Sequence, residues 1–247
     1  MTLVHVEEAM GTMFSFRLEP GELAPDAAAA AVANACRLLH EADDVFSTWQ
    51  DGSAISRMRR DELALGDAPA EVAEVLDLCH RAGRLTDGIF DAWASPDGVD
   101  PTGIVKGWAV QRAAELLRDA GFAAVNVNGA GDIQLFGGPQ RIGIRSPQRA
   151  DLLACVVEVD GAIATSGLYE RGEHLLDPRT GSLATGPQSA TVVGPELWLA
   201  DALATALFVE GLPGLDRIAA IEGHSAMLID ADGNMRPSPS FPFVDQA

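Results

Sequence analysis

The sequence predicts an α+β fold, antiparallel sheets with packed helices. Three observations lead there. Apolar residues recur with helical spacing over 25–46, 69–83 and 104–120. The period then changes to two across residues 123–167, broken by Gly, Pro and Asn turns. Helical spacing returns at 196–210, before one more strand-like run. Strands grouped in runs, with helices between the groups, favour α+β over strict β-α-β alternation.

The elements follow in order. "LVHVEEAMGTMFSFRLE" alternates well enough for two strands joined by a turn at Gly11. Pro25 and Asp26 start a helix that places Ala28, Val32, Ala35, Leu39, Ala42 and Phe46 on one stripe. A second helix runs from Pro69 through Val72, Val75, Leu76 and Cys79 to Gly83, and a third spans 104–120 with Gly121 as its C-cap. Residues 91–103, polar and irregular, read as a surface loop. "AAVNVN", "DIQLFG", "QRIGIRS", "LACVVEVD" and "AIATSG" are short strands. Helices follow at 196–210 and 214–221, and "HSAMLID" ends in a turn at Asp232 and Gly233.

Composition bounds the function. The 247 residues are expected to form one domain over 1–247. At this size roughly 70–75% of the unfolded surface can be buried, so stability requires no metal or disulfide. A net charge of -19 repels phosphate backbones, which argues against nucleic-acid partners. It tolerates a divalent cation carrying an anionic ligand. Cys36, Cys79 and Cys155 are far apart and read as small core residues. With no CxxC and no His/Cys cluster along the chain, no zinc site is expected. "MTLVHVEEAM" has no basic n-region and no long apolar run, so the expectation is a cytoplasmic protein with no membrane insertion.

Four segments carry candidate chemistry. In "LADALATALFVEG", Asp201 and Thr205 are four apart on a helix, so both oxygens lie on one face. A carboxylate with a hydroxyl suits a hard cation such as Mg²⁺; the other reading is an aspartate favoured by the helix dipole. In "DPTGIVKGWAV", Lys106 and the exposed N–H groups of a helix start can meet an anion, or Lys106 is simply a surface lysine. GxxxxGK[ST] is absent, so this is not a P-loop. In "NVNGAGDIQLFG" the glycines permit close backbone approach and Asp132 can accept hydrogen bonds. A strand follows rather than a helix, so the dinucleotide-fold reading fails, and a glycine-rich hairpin turn is the alternative. "AIATSGLYERGEHLLDPRTG" offers Thr165, Ser166 and His174, the sole histidine set among polar turn residues and a natural general base. Asp177 and Arg179 either orient it or form a local ion pair. No GxSxG elbow is present, which argues against a serine hydrolase.

Taken in order, these segments resemble the ApbE family of FAD:protein FMN transferases. The resemblance runs from "MGTMFSFRL" through "FSTWQDGSAISRM", "DGIFDAW", "GIVKGWAV", "NGAGDI" and "AIATSGLYERGEHLLDPRTG" to "SATVVGPELWLADALATALFVEG", over residues 10–211. It implies a T-fold type of scaffold and a Mg²⁺-dependent transfer of the FMN half of FAD onto a threonine or serine hydroxyl of a target protein, with AMP leaving. By motif, Asp201, Thr205 and the backbone carbonyl of Val105, where the family usually has alanine, match the magnesium ligands. His174 matches the base, with Lys106 assisting. Met10, Ser47, Asp132, Thr165, Ser166 and Asp177 fall among the FAD-contacting positions. This chain departs from the family at Ala130, where relatives carry a second glycine before the acidic residue, and in a short stretch between "FDAW" and "GIVKGW". Many relatives are exported lipoproteins, unlike the expectation here. The same site would serve an FAD pyrophosphatase releasing FMN and AMP, or a non-catalytic FAD-binding protein.

Overall fold

The computed structural model describes residues 2–149, 151–167, 176–184 and 186–244. A first hairpin, β1 (Leu3–Ala9) and β2 (Thr12–Glu19), enters an eight-stranded sheet. Helices α1 (Pro25–Phe46), α2 (Ala54–Arg59), α3 (Ala70–Leu85) and α4 (Thr102–Asp119) follow. Strands β3 (Ala124–Gly129) and β4 (Asp132–Phe136) return to the sheet, while β5 (Gln140–Arg145) and β6 (Leu153–Val159) form a hairpin of their own. Then come β7 (Ala162–Gly167), the short pair β8 (Leu176–Asp177) and β9 (Ser182–Leu183), and β10 (Ser189–Gly194). Helices α5 (Leu197–Glu210) and α6 (Pro213–Ala219) precede β11 (Ser225–Ile229) and β12 (Met235–Pro237). The large sheet runs β1-β2-β3-β4-β7-β10-β11-β12, every neighbouring pair antiparallel. The α+β expectation holds.

The sheet is the middle of three layers. Helices cover one face and the β5–β6 hairpin covers part of the other. On the helical side, the stripe expected for α1 is buried throughout, from Ala28 to Phe46. Trp108 of α4 meets the Phe46 ring edge-on at 5.6 Å and donates its Nε1 proton to Glu74 of α3 at 2.9 Å. One side chain thus ties three helices; the ring pair contributes about 0.5–1.5 kcal/mol beyond its area. On the other side Ile133, Leu135, Ile163, Met227 and Ile229 of the sheet pack with Ile144, Cys155, Val157 and Val159 of the hairpin and with Phe241. The hairpin is also laced to the C-terminal segment: Glu158 N–H donates to Pro242 at 3.0 Å, and Val244 N–H to Val156 at 3.0 Å.

This double cover explains where alternation is silent. Strand β10 is buried on both faces at nearly every position, with polar Ser189 and Thr191 inside beside Ala190 and Val192, so polarity along residues 189–194 does not report which positions are inward. Helix α2 is too short for helical spacing to register. It is set by Ser53, whose hydroxyl accepts the Ser56 N–H at 3.0 Å. The 91–101 stretch is irregular, as expected, yet anchored: Arg59 donates to the Val99 carbonyl at 2.8 Å and pairs with Asp100 at 3.2 Å. Among the described residues no helix is long and apolar enough to cross a membrane.

Candidate active site: a cationic cleft beside a cluster of oxygen donors

Two tight turns build the rim of the site. The β1–β2 turn places Met10 at φ 49° and Gly11 at φ 66°, and the β3–β4 turn places Ala130 at φ 53° and Gly131 at φ 100°. Paired left-handed residues are what a two-residue hairpin requires. For a residue with a Cβ that conformation costs about 1–2 kcal/mol, so both turns need side-chain support. Asp43 of α1 accepts the Met10 N–H at 3.2 Å, and Asn128 accepts the Gly131 N–H at 2.8 Å.

Between these turns and the β5–β6 hairpin lies a cavity of about 730 Å³. Its described lining includes Lys106 and Arg145 but no Asp or Glu, in a chain whose net charge is -19. Such a cavity accepts an anion that the rest of the surface repels. A second cavity of about 370 Å³ shares Met10, Gly11 and Lys106 with the first and continues past Ser47, Trp49 and Val105. Trp49 is 94% exposed. A large aromatic held in solvent beside a cleft is a stacking surface; sequence reasoning missed it because one tryptophan in a polar turn carries no periodic signal.

Asp132 organises the floor. It is 1% exposed, forms an ion pair with Lys106, and accepts the Thr165 N–H at 3.1 Å. One carboxylate therefore holds the α4 lysine and the β7 backbone together. Thr165 and Ser166, adjacent on β7, face opposite sides of the sheet. Thr165 lines the larger cavity and its hydroxyl lies 2.9 Å from that of Thr191. Ser166 points to the helical side, its hydroxyl 3.3 Å from that of Thr205.

Helix α5 carries Asp201 and Thr205 one turn apart. Leu and Ala surround them, and Asp201 is only 6% exposed. Its Oδ2 accepts the Gly107 N–H of α4 at 3.1 Å. Asp201 lies in the second turn of α5, past the point where the helix dipole alone would favour it. The register of α5 is fixed remotely, because its N-cap, Glu196, supplies no side-chain bond. Gln134 of β4 accepts the Leu197 N–H at 3.1 Å, and Gln111 of α4 accepts the Trp198 N–H at 3.3 Å. Neither glutamine stands out in the sequence.

The oxygens of Asp201, Thr205 and Ser166, beside the first turns of α4 that carry Val105, form a donor set without nitrogen or sulfur. That chemistry fits a hard divalent cation. A buried carboxylate on an apolar helix also calls for a compensating charge or donors.

One expected site residue stands apart. Asp177 is not among the described residues lining either cavity. Its carboxylate is gripped by Arg179, from the backbone N–H and Nε at 2.9 Å and from a terminal nitrogen at 2.8 Å. The Arg179 hydrogen bonds hold the Asp177 carboxyl below its usual range. His174 lies outside the described residues.

Comparison with known proteins agrees with this geometry. The model of the ApbE family matches residues 10–96 and 94–229. Over 148 residues the chain is 36% identical to the FAD:protein FMN transferase of Rhodobacter capsulatus, covering 54% of this chain and 28% of that protein. Over 129 residues it is 35% identical to the FAD:protein FMN transferase of Vibrio cholerae, covering 46% of this chain and 39% of the relative. These matches thus span well under half the length of either relative. The flavin transferase ApbE from Vibrio cholerae superposes with a TM-score of 0.82 at 25% identity, over 99% of both chains. The ApbE protein from Thermotoga maritima superposes with a TM-score of 0.83 at 21% identity, over 97% of both, a likeness of fold. The chain belongs to the ApbE family.

Proposed function

We propose that residues 1–247 act as one domain, a Mg²⁺-dependent flavin transferase that moves the FMN half of FAD onto a threonine or serine hydroxyl of a target protein. The observation that carries this reading is the cleft whose larger cavity is lined by Lys106 and Arg145 and by no Asp or Glu among its described residues, with the buried Asp201 bonded to Gly107, next to Lys106 on α4. The cleft suits a flavin dinucleotide: apolar side chains such as Ile133 and Ile144 offer surface to the rings, and Lys106 and Arg145 meet the diphosphate. Met10, Ser47 and Thr165 flank the ligand. Asp132 holds Lys106 in place, and Ser166 supports Thr205. Asp177 contributes only by shaping the turn next to His174.

Asp201, Thr205 and the Val105 carbonyl would hold Mg²⁺, which neutralises the charge of the diphosphate. In the reaction, the acceptor oxygen bonds to the phosphorus of the FMN half. The bond from that phosphorus to the bridging oxygen breaks, and AMP leaves with that oxygen. His174 takes the proton of the incoming hydroxyl, a role resting on its motif alone; a placed base contributes about 10²–10⁴-fold. Lys106 stabilises charge on the departing phosphate, since phosphoryl transfer depends on positioning and electrostatics more than on covalent help.

The test is to incubate the chain with FAD, Mg²⁺ and a candidate acceptor and to weigh the acceptor. A gain of one FMN supports transfer. Free FMN with AMP identifies a pyrophosphatase instead, and intact FAD a binding protein. Asp201→Ala should abolish turnover, and His174→Ala should bind FAD without transferring it. Unchanged flavinylation in either variant overturns the corresponding role.

A further inference from the structure

Strand β1 meets α1 with the wrong residues for simple packing. Its valines, Val4 and Val6, point outward and are 69% and 51% exposed, while His5 and Glu7 turn toward the helix. Residues two apart on a strand share a face, as do residues four apart on a helix. Cys36 and His40 of α1 supply the helical half. Glu7 lies between the two imidazoles. His5 Nε2 lies 3.1 Å from one Glu7 oxygen, and His40 Nε2 lies 2.7 Å from the other. The ligand atoms of His5, Glu7 and Cys36 all lie within 4.8 Å of one another. The cluster lines a groove of about 670 Å³ between β1 and α1 that shares no lining residue with the flavin cleft.

We propose that His5, Glu7, Cys36 and His40 form a binding site for a zinc ion, separate from the catalytic cleft. Two imidazoles, a carboxylate and a thiolate make a four-ligand set of the kind zinc takes, and the sulfur and nitrogens disfavour Mg²⁺. Zinc–ligand bonds of about 2.0–2.3 Å place tetrahedral ligand atoms roughly 3.3–3.8 Å apart. The His5, Glu7 and Cys36 atoms must therefore close by about an ångström, and His40, already on Glu7, must swing in beside them. The side chains of His5 and His40, 38% and 50% exposed, have room to rotate inward. The Cys36 thiol is pushed up to about 11 by burial and by the neighbouring Glu7 carboxylate, so it is protonated in the metal-free chain. Seating zinc expels that proton and leaves a thiolate ligand.

No zinc site is expected from the sequence because its halves lie about thirty residues apart and no CxxC marks them. The fold brings the halves together by laying an edge strand, paired among the described residues with β2 alone, against a helix. Bound zinc would clip the two together.

The test uses the full chain, stripped of metal with a chelator and then titrated with Co²⁺, which reports its own coordination. A thiolate-to-cobalt charge-transfer band with tetrahedral d–d bands should appear, and one equivalent of Zn²⁺ should bleach both. Cys36→Ser should remove the charge-transfer band. His40→Ala, a change at a half-exposed side chain that leaves the core intact, should weaken zinc at least about tenfold. Asp201→Ala should leave the cobalt spectrum unchanged, so failure of the flavin reading would not mimic failure of this one. Absence of the band in the parent chain, or its survival in Cys36→Ser, overturns the proposal.

Discussion

Gly107→Ala tests the contact on which the oxygen cluster depends. A Cβ at position 107 would lie 2.8 Å from the Leu197 carbonyl oxygen, 2.9 Å from Asp201 Cβ and 3.1 Å from Asp201 Oδ2. Two of those atoms cannot swing aside, since one is helix backbone and the other is the first side-chain carbon. Helices α4 and α5 must separate by roughly half an ångström, an overpacking worth about 1–3 kcal/mol. The same movement stretches the Gly107 N–H bond to the Asp201 carboxylate, a charged acceptor worth about 1.5–3 kcal/mol. Alanine's better helix propensity returns about 1 kcal/mol, which leaves a net destabilisation of about 1.5–5 kcal/mol. For a chain of this length the melting midpoint should fall by roughly 3–20 °C. Displacing Asp201 should reduce FAD turnover by about 10²-fold and raise the Mg²⁺ concentration needed. Thermal melts and magnesium titrations read both effects. Gly66→Ala, which meets no atom within 4 Å, is the control. A variant that melts with the parent chain and keeps its magnesium dependence would refute the close approach of α4 and α5.

Three further outcomes are expected. Ala130→Gly relieves a left-handed residue, worth about 1–2 kcal/mol, against about 0.4–1 kcal/mol for the freer unfolded chain; calorimetry should show a modest gain in stability, and a loss would contradict the strained turn. Asp132→Asn removes the partner that orients Lys106 while keeping an acceptor for the Thr165 N–H. The KM for FAD should rise about tenfold, equivalent to about 1.4 kcal/mol, and an unchanged KM would separate Lys106 from the ligand. Burial pushes the Cys79 thiol up to about 12, and only the thiolate reacts. Its alkylation by iodoacetamide should therefore stay slow as pH rises from 8 to 10 and become fast only on unfolding; rapid modification of the native chain would show that the α3 core opens.

Much of the scaffold was legible because its signals are local. The α1 stripe from Ala28 to Phe46 and the glycine turns around β3 and β4 need no tertiary information. Strand β10 was not legible, because both its faces are buried and Ser189 and Thr191 sit inside, so polarity there does not report burial. The site divided in the same way. Asp201 and Thr205 share a helix, so their spacing makes them candidates in the sequence. The groups that aim them, Gln111, Gln134 and Gly107, come from other elements and acquire meaning only when the sheet closes. Asp177 shows the converse: a motif neighbour of His174 in sequence, it spends its carboxylate on Arg179.

The outer wall of the larger cavity belongs to β5, and β5 is backed by Phe241 and the segment that follows it. Phe241 is buried against the hairpin, its ring stacked edge-on by Phe243 at 5.1 Å, and the backbone around 242–244 zips onto β6. Clipping the polypeptide after Ser240 would thus unfasten a panel of the proposed binding chamber from behind, leaving Lys106, Asp132, Asp201 and Thr205 in the chain. Flavin retention, rather than the chemical step, would register such a cut.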